Sequence, residues 1–424
     1  MREDKRTKRN RLATLGVVLG TVLVSGIALQ AQTDMQKLEQ ENQDLKKRLD
    51  AMEDLMKKEG LQPSGDTAPQ PIKAMSSITI SGYVSASYFY DLANSKDNAP
   101  SGYLWDTKLN SFSLNEIKLT LASPALDKDK WDAGYKTSLI YGQDAAILDP
   151  KNGVAGFSAV REAFVEINVP VGTGLDVKVG QLISLLNYES GDGGAVNDNF
   201  SQGYQWYYTG NPPGGAVQLG YDVNDSFGFK LRLQNGLFTG SLDSGSKTFL
   251  GGIYYKPDSK TSLALIGFSG RQDFVPPWRD DGVSFIGTRK LTDFDNLSFA
   301  TEIDYWRYSY QGPVKKDSDF WSFGGWLTGD LVPKATWALR ADFLYDPTGF
   351  ATLYQSPDPS GTGFPGVTPF HGQDLSSVTM TLDWKPAGNV KIQPELRWNH
   401  STVSTALNGK SDQFIAGCGV SYAF

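Results

Sequence analysis

The end of the chain alternates between apolar and polar side chains. Within the stretch from Ser411 to Phe424, every second position is apolar: Phe414, Ala416, Cys418, Val420, Tyr422 and Phe424. A period of two places successive side chains on opposite faces of a β-strand. The pattern therefore predicts a final strand with one apolar face, and a strand of that length requires hydrogen-bonding partners along its edges.

The same period recurs from residue 78 onward. We identify sixteen segments with this pattern, at 78–90, 111–123, 132–142, 159–169, 174–182, 214–223, 226–238, 247–256, 261–270, 283–291, 297–308, 318–329, 334–345, 374–385, 390–401 and 411–424. The faces are less distinct in 247–256, 261–270 and 283–291, which contain glycine, so the pattern fixes the count only to within two strands.

The segment at 390–401 indicates what each face contacts. Its apolar residues alternate with five polar ones, Lys391, Gln393, Glu395, Arg397 and Asn399. An apolar stripe opposite a polar one is typical of a membrane barrel, where one face meets lipid and the other lines a wet lumen. The pattern therefore predicts an all-β fold, a transmembrane antiparallel β-barrel of about 16 strands.

The connections between the predicted strands sort by length. Tight turns follow the even-numbered strands, at 170–174, 224–225, 257–260, 292–296, 332–333 and 386–389, with a longer one near 124–130. Longer segments rich in Gly and Pro follow the odd-numbered strands, notably 91–110, 184–213, 271–282 and 346–373. This alternation, with both termini on the short-turn side, is typical of bacterial outer-membrane barrels and requires an even strand number. The final strand, which ends on an aromatic residue, is similar to the final strand of those barrels. In them, this strand closes the barrel and is recognised by the barrel assembly machinery.

Composition narrows the functional classes. Aromatic residues make up 12% of the 424 residues and glycine occurs 45 times, which suits a barrel whose apolar face is diluted by polar lumen residues. The net charge of −7 argues against nucleic acid as a partner. The single cysteine, Cys418, excludes an intrachain disulfide framework, and two histidines leave little material for a metal site. We expect neither a cofactor nor a metal.

The first 31 residues have the pattern of an export signal. Six basic residues precede an apolar stretch from Leu12 to Leu29, and Ala31 is a candidate for the cleavage position. The alternative is an uncleaved anchor in the inner membrane, because an apolar stretch of this length is near the minimum that spans a bilayer. We expect cleavage, since a protein bound for the outer membrane cannot easily remain anchored in the inner one.

Residues 32–59 predict a coiled-coil helix. Met35, Asn42, Leu49 and Met56 recur at heptad spacing, and Leu38, Leu45 and Met52 follow three positions later. Such a pattern favours self-association, with Asn42 as the polar residue that sets the register. The alternative is a single solvated amphipathic helix. A homo-oligomer is expected, with a trimer favoured, and residues 60–77 have the proline-rich composition of a linker to a barrel at 78–424.

Several short motifs resemble a known family. They are Ile78-Thr-Ile-Ser-Gly-Tyr83 with Tyr88 and Asp91, Phe112-Ser-Leu-Asn115, Val177-Lys-Val-Gly180, and Asn187-Tyr-Glu189 before an aromatic-rich loop. Together they resemble the β-barrel porin family 2, the OmpL-like group, over residues 78–424. The resemblance implies an outer-membrane channel for small solutes, and members of the family often carry an N-terminal coiled coil.

Loop 184–213 is the candidate functional element. In sixteen-stranded porins the loop at this position folds into the lumen, and here it carries the acidic residues Glu189, Asp192 and Asp198. The strand parity places these basic residues on the lumen wall: Lys178, Lys230, Arg232, Arg340, Lys391 and Arg397. Their acidic counterparts are Glu166, Glu302, Asp304, Asp342 and Glu395. Loop acids facing wall cations would create a transverse field at a constriction; the alternative is a solvated surface loop.

Two further features of the sequence are candidates for a functional role. The aromatic run Tyr204, Trp206, Tyr207 and Tyr208 could grip sugar rings or form part of the girdle at the membrane interface. The stretch His400-Ser401-Thr402 places a histidine and a hydroxyl two apart on the outward face, as in outer-membrane phospholipases. No orienting group or oxyanion hole accompanies it, so we expect no catalytic residue and no enzyme.

The sequence therefore predicts a porin of the bacterial outer membrane with its coiled coil in the periplasm. Its partners would be outer-membrane lipid and small hydrophilic solutes and ions, which diffuse passively through a water-filled channel constricted by loop 184–213. The alternative is a structural barrel that engages envelope partners through the coiled coil.

Overall fold

The computed structural model shows a closed antiparallel barrel of sixteen strands. It describes residues 43, 46–47, 78–92, 108–145, 160–237, 245–272, 278–291, 296–310, 317–349, 351–352 and 372–424. Each strand pairs with its neighbours in the chain, and the last strand returns to the first, from Tyr83 opposite Ala423 to Asp91 opposite Ile415. Closure satisfies the backbone groups of every strand and leaves no open edge, as a lipid environment requires.

The strands run in chain order around the barrel. They are β1 Thr79–Asp91, β2 Ser111–Ala122, β3 Asp132–Tyr141, β4 Val160–Val169, β5 Leu175–Leu182, β6 Gly214–Asn224, β7 Phe227–Asn235, β8 Lys247–Asp258, β9 Thr261–Gln272, β10 Trp278–Leu291, β11 Leu297–Tyr310, β12 Asp317–Val332, β13 Ala335–Asp346, β14 Gln373–Trp384, β15 Val390–Ser401 and β16 Asp412–Ala423. The all-β antiparallel barrel and the strand count predicted from the alternation are therefore confirmed.

The largest shift from the predicted spans is at the start of β10. Alternation placed this start at residue 283, but the strand begins at Trp278, which pairs with Gln272 on β9 and Tyr310 on β11. The outward side chains here are charged, since Arg279 forms an ion pair of 3.0 Å with Asp281. The strand therefore continues beyond the apolar band on which the prediction relied.

This extension changes one predicted loop. The connection between β9 and β10 comprises residues 273–277, so the long loop expected at 271–282 is wrong. The connection between β11 and β12, residues 311–316, is also short. Long connections therefore follow only some of the odd-numbered strands, because β9 to β12 extend further as regular hairpins.

The two faces of the strands differ in solvent exposure. On β15 the outward Leu396 is 59% exposed, whereas the lumen-facing Glu395 and Arg397 are each 3% exposed. Outward apolar residues recur around the barrel, among them Met380 on β14 and Phe414 on β16. A surface that presents apolar side chains outward and encloses charged ones is the inverse of a soluble protein and suits lipid.

Part of the lumen is apolar, which the alternation did not predict. Near the long-loop ends of the strands, inward-facing Trp306 on β11 stacks on Phe320 of β12 at 5.8 Å between ring centroids. Leu250, Ile266 and Leu344 belong to the same buried cluster. The wet lumen inferred from polar alternation is therefore interrupted by an aromatic cluster in this half of the barrel.

The signal peptide, coiled coil and linker predicted for residues 1–77 lie outside the described residues, apart from three. Gln43, Lys46 and Lys47 are helical and exposed. Among the helices in the described ranges, none is both long and apolar enough to cross a bilayer.

Candidate functional site: a loop folded into the barrel

Residues 183–213, which connect β5 to β6, lie inside the barrel; we call them the inserted loop. The inserted loop includes a 3-10 turn, Gly193–Ala195, and one short helix, α1, Tyr204–Thr209. Its hydrogen-bond partners lie on β11, β13 and β15, far from it in sequence. This placement follows from a row of buried wall charges that bind its backbone and side chains.

Glu189 of the inserted loop and Arg340 on β13 form a buried ion pair. The Arg340 Nη1 atom lies 2.7 Å from Glu189 Oε1, which also accepts a hydrogen bond of 3.2 Å from the indole of Trp326. The other carboxylate oxygen accepts from the backbone N–H of Gly203 at 2.9 Å. Arg340 also donates to Thr379 Oγ1 at 2.8 Å. The carboxylate is thus bonded through both oxygens, which a buried charge requires.

Glu395 on β15 binds the loop backbone. Its carboxylate accepts hydrogen bonds from the N–H of Phe200 at 2.8 Å, from the N–H and hydroxyl of Ser201, and from Thr381 Oγ1 at 2.8 Å. The adjacent Arg397 donates to Ser201 Oγ at 3.2 Å and to a loop carbonyl. Charge-assisted bonds of this kind are about twice as strong as neutral ones, so this wall holds the centre of the loop firmly.

Two carboxylates on β11 hold the loop on either side of that centre. Glu302 accepts from the backbone N–H of Tyr188 at 2.6 Å and from the Asn187 amide at 3.2 Å. Asp304 accepts from the Gln205 amide at 2.6 Å. Strand parity had assigned both residues to the lumen wall. They face inward, but they are 0% exposed because the loop covers them.

Asp192 attaches the loop to the other side of the barrel. Its carboxylate forms ion pairs with Lys118 on β2 and with Arg161 on β4, the latter at 3.0 Å, and its carbonyl accepts from the hydroxyl of Tyr83 on β1 at 3.0 Å. Burial would raise the pKa of Asp192, but the charges of Arg161 and Lys118 outweigh it and hold the pKa below the usual value. The loop therefore spans from β1, β2 and β4 to β11 and beyond.

Lys118 and Arg161 were missed in the sequence analysis for different reasons. Lys118 lies between the outward-facing Ile117 and Leu119, so strand parity contains the signal. The orientation of Arg161 results from a register shift between Ser138 and Leu139 on β3. Because of this shift, Arg161 on β4 has no residue opposite it on β3. A bulge of this kind turns a side chain to the unexpected face and leaves no periodic signal.

Asp198 differs from the other two loop acids. It is exposed, and no basic group among the described residues lies within ion-pair distance of it. The neighbouring wall cation, Lys391, instead pairs with Asp383 at 3.0 Å and donates to the carbonyl of Asn197 at 2.5 Å. Glu189 and Asp192 thus contact their cations directly, and Asp198 is the loop carboxylate that faces water.

The three remaining predicted cations lie on β5 and β7. Lys178 pairs with Glu166 at 3.0 Å and lies 3.7 Å from Asp176. Arg232 donates to Gln218 Oε1 and, at 2.7 Å, to the carbonyl of Ile183, which positions the first residue of the inserted loop. Lys230 lies over the ring of Tyr254, with 4.7 Å from its ammonium to the ring centroid. In the ring of strands, this wall lies opposite β14 and β15.

The aromatic run of the inserted loop is packed inside the barrel. Tyr204, Tyr207 and Tyr208 are buried in the cluster that contains Trp306, and Trp206 packs against it. Neither a girdle position nor an open sugar-binding platform fits side chains in that environment. Burial of their ring area instead stabilises α1 against the wall.

The histidine stretch lies at the end of β15, and Thr402 follows the last residue of that strand. His400 faces outward, stacks on Trp398 and lies 3.0 Å through Nδ1 from Asp412 Oδ1. Ser401 faces the lumen and accepts from Gln373 at 2.8 Å, and the hydroxyl of Thr402 accepts from the backbone of Asp374. The three side chains thus have separate structural partners.

Several solved structures are similar to this chain. An anion-selective porin from Comamonas acidovorans matches with a TM-score of 0.54 and 11% identity, covering 82% of this chain and 99% of that one. Pseudomonas putida OprB matches with a TM-score of 0.53 and 12% identity, covering 84% and 96%. The trimer form of Vibrio cholerae OmpT matches with a TM-score of 0.50 and 10% identity, covering 82% and 99%. At these identities the likeness shows the fold, and no curated protein matches.

Family membership follows from the sequence itself. The model of the family described as "Putative beta-barrel porin-2, OmpL-like" matches residues 77–424, which is the entire barrel. The resemblance found in the short motifs is therefore confirmed over the same region. The chain belongs to this porin family, and it is a porin of the bacterial outer membrane.

Proposed function

We propose that the protein forms a water-filled channel for the passive diffusion of small hydrophilic solutes and ions, constricted by loop 184–213. The observation that carries the proposal is the attachment of this loop to both sides of the barrel. Asp192 binds Lys118 and Arg161 on one side, and Glu189 binds Arg340 on the other. A segment that is bound to two sides of the lumen wall narrows the lumen.

The charges that remain accessible support a passage beside the loop. Lys178 and Lys230 on the β5–β7 wall retain partial exposure, and Asp198 is exposed on the loop. In contrast, Arg340 and Glu302 behind the loop are fully buried. Water and solutes would therefore pass between the inserted loop and the β5–β7 wall, in the field between Asp198 and the two lysines.

Single-channel recording in planar bilayers tests the proposal. The full-length protein should give stepwise openings, and the neutral double variant Glu189→Gln with Arg340→Gln should give larger and noisier ones because the loop loses a buried anchor. The rival function is a structural barrel that engages envelope partners through its coiled coil. A barrel that is folded, as judged by heat-modifiable gel mobility, but silent in the bilayer would favour that rival.

The remaining parts of the chain fit the same function. We propose that residues 1–31 are a signal peptide and that residues 32–59 form a periplasmic coiled coil joined to the barrel by residues 60–77. The heptad spacing from Met35 to Met56 supports self-association, and a trimer is favoured because it suits a porin better than a dimer. The trimer form of Vibrio cholerae OmpT, which is similar in fold, is compatible with this stoichiometry. The terminal strand would be recognised by the barrel assembly machinery.

A further inference from the structure

Lumen-facing residues on β5 to β8 form two rows across the strands. In one row, Lys178 pairs with Gln218 on β6, which pairs with Arg232 on β7. The next row toward the short turns begins with Asp176 on β5, which pairs with Gly220 on β6. Gly220 pairs in turn with Lys230 on β7, and Lys230 pairs with Gly252 on β8. Lys230 therefore has a glycine directly opposite it on both neighbouring strands.

The glycines leave the Lys230 ammonium without a polar partner on the wall. On the β8 side, the ring of Tyr254 fills the space over Gly252 and lies 4.7 Å from the ammonium. On the β6 side, a Cβ added to Gly220 would meet nothing closer than Asp176 Oδ2, at 3.5 Å. Within the part of the chain that the structure describes, Lys230 has no carboxylate at ion-pair distance.

The charges of this wall do not cancel. Three cations, Lys178, Lys230 and Arg232, accompany two carboxylates, Glu166 and Asp176, both of which Lys178 contacts. A third carboxylate nearby, Asp222 on β6, pairs with Lys128 of the turn between β2 and β3 at 3.4 Å. Arg232 is 3% exposed and bound to Gln218 and the loop, so the exposed excess charge belongs to Lys230.

The opposite wall is balanced. Asp198 lies in the electrostatic environment of Lys391, Lys385, Asp383 and Glu189. Glu189 is bound to Arg340, so three cations accompany three carboxylates. The passage between the walls thus carries a surplus of positive charge on the β5–β7 side. Such a surplus in a narrow aqueous path concentrates counter-ions of the opposite sign.

We propose that Lys230 forms a binding site for small anions in the lumen and makes the channel anion-selective. This inference rests on the proposed channel function and adds the class of solute that it favours. An anion entering over Gly220 would contact the Lys230 ammonium. The carboxylate of Asp176, which borders this space, lies 3.7 Å from the ammonium of Lys178. The anion would leave readily, because a single partly hydrated lysine holds it.

The reversal potential in a tenfold KCl gradient tests this site. The wild-type protein should prefer chloride. Lys230→Gln should reduce the chloride-to-potassium permeability ratio by roughly threefold or more, within the range of effects that a focused lumen charge produces. Lys247→Gln removes the same charge from an outward-facing position at the start of β8 and should leave the ratio unchanged.

A substitution at Gly220 provides a second, independent variant. Gly220→Glu adds a carboxylate beside Lys230 at a position with room for a side chain and should lower the ratio, whereas Gly220→Gln, of equal size, should not. A conducting channel that prefers potassium, or one whose ratio is unaffected by Lys230→Gln and Gly220→Glu, would overturn the anion site alone. A folded but silent barrel would overturn the channel itself and, with it, the role of the site in permeation.

Discussion

Arg340 on β13 and Glu189 in the inserted loop lie 2.7 Å apart, although 151 positions separate them in the chain. Both side chains are almost completely buried, at 0% and 3% exposure. A charge in such a place is stable only with a partner, because the free energy of removing it from water is large. The pair therefore fixes where the loop crosses the lumen.

Loss of one member of this pair should destabilise the protein more than loss of both charges. Arg340→Gln leaves Glu189 buried without its cation, at an expected cost of about 3–5 kcal/mol in the free energy of unfolding. Glu189→Gln together with Arg340→Gln should cost less than Arg340→Gln alone, and therefore less than the sum of the two single changes. Urea unfolding in lipid vesicles would measure the free energy of unfolding of the wild-type protein, the two single variants and the double variant. Strictly additive effects of the two substitutions would show that the pair is not coupled.

Glu395→Gln should loosen the centre of the inserted loop. The substitution removes the negative charge that strengthens the hydrogen bonds from the N–H groups of Phe200 and Ser201. It also replaces one acceptor oxygen by an NH2 group, which cannot accept these bonds. The expected result is increased noise of the open-channel current. Glu166→Gln, a lumen carboxylate that binds Lys178 rather than the loop, is the matched control. Equal noise in both variants would contradict the anchoring role of Glu395.

The attachment of Asp192 should depend on pH in the acidic range. Its pKa in the folded protein is held below the usual value, about 3.9 for a free aspartate. The stabilisation is therefore fully present above that usual value and is lost as the pH falls through the lower, folded pKa. Open-channel noise should rise in this acidic window.

Asp192→Asn provides the control for that pH dependence. This variant should show the increased noise already at neutral pH, because its amide cannot form the ion pairs with Lys118 and Arg161. It should then change little on acidification. A wild-type channel whose noise rises only at higher pH, with Asp192→Asn behaving in the same way, would assign the effect to another group.

An arginine on the outward face should be costly in the middle of the apolar band. Met380 on β14 is 57% exposed and is flanked by Leu339 and Leu396 on the neighbouring strands. Met380→Arg should cost about 2–4 kcal/mol in lipid, as for basic residues near the midplane of membrane barrels. Val171→Arg, in the exposed turn between β4 and β5, should cost little. Similar costs at both positions would contradict the assignment of the lipid face.

The sequence was sufficient to predict the strands but only part of the site. Alternation located β15 at the residues that the structure shows, because lipid and water impose opposite demands on its two faces. It failed at the start of β10, where the outward residues are the charged pair Arg279 and Asp281. Beyond the apolar band, both faces of a strand are polar, so the alternation of apolar and polar residues does not show where the strand begins.

The partners of the loop could not be read from parity alone. Parity placed Glu302 and Glu395 on the lumen wall but could not show that loop N–H groups would cover them, since those contacts join distant parts of the chain. The bulge that exposes Arg161 to the lumen has no signature in the alternation. The unpaired state of Lys230 depends on Gly220 and Gly252, which become its neighbours only through the strand register.

The size of the passage is the most direct test of a lumen narrowed by the inserted loop. Single-channel conductance would be measured with polyethylene glycols of increasing size, for the full-length protein and for a variant in which residues 187–209 are replaced by a short Gly-Ser linker. The wild-type channel should exclude polymers that enter the variant, and the variant should conduct more. The same exclusion limit and conductance in both proteins would contradict a constriction formed by this loop.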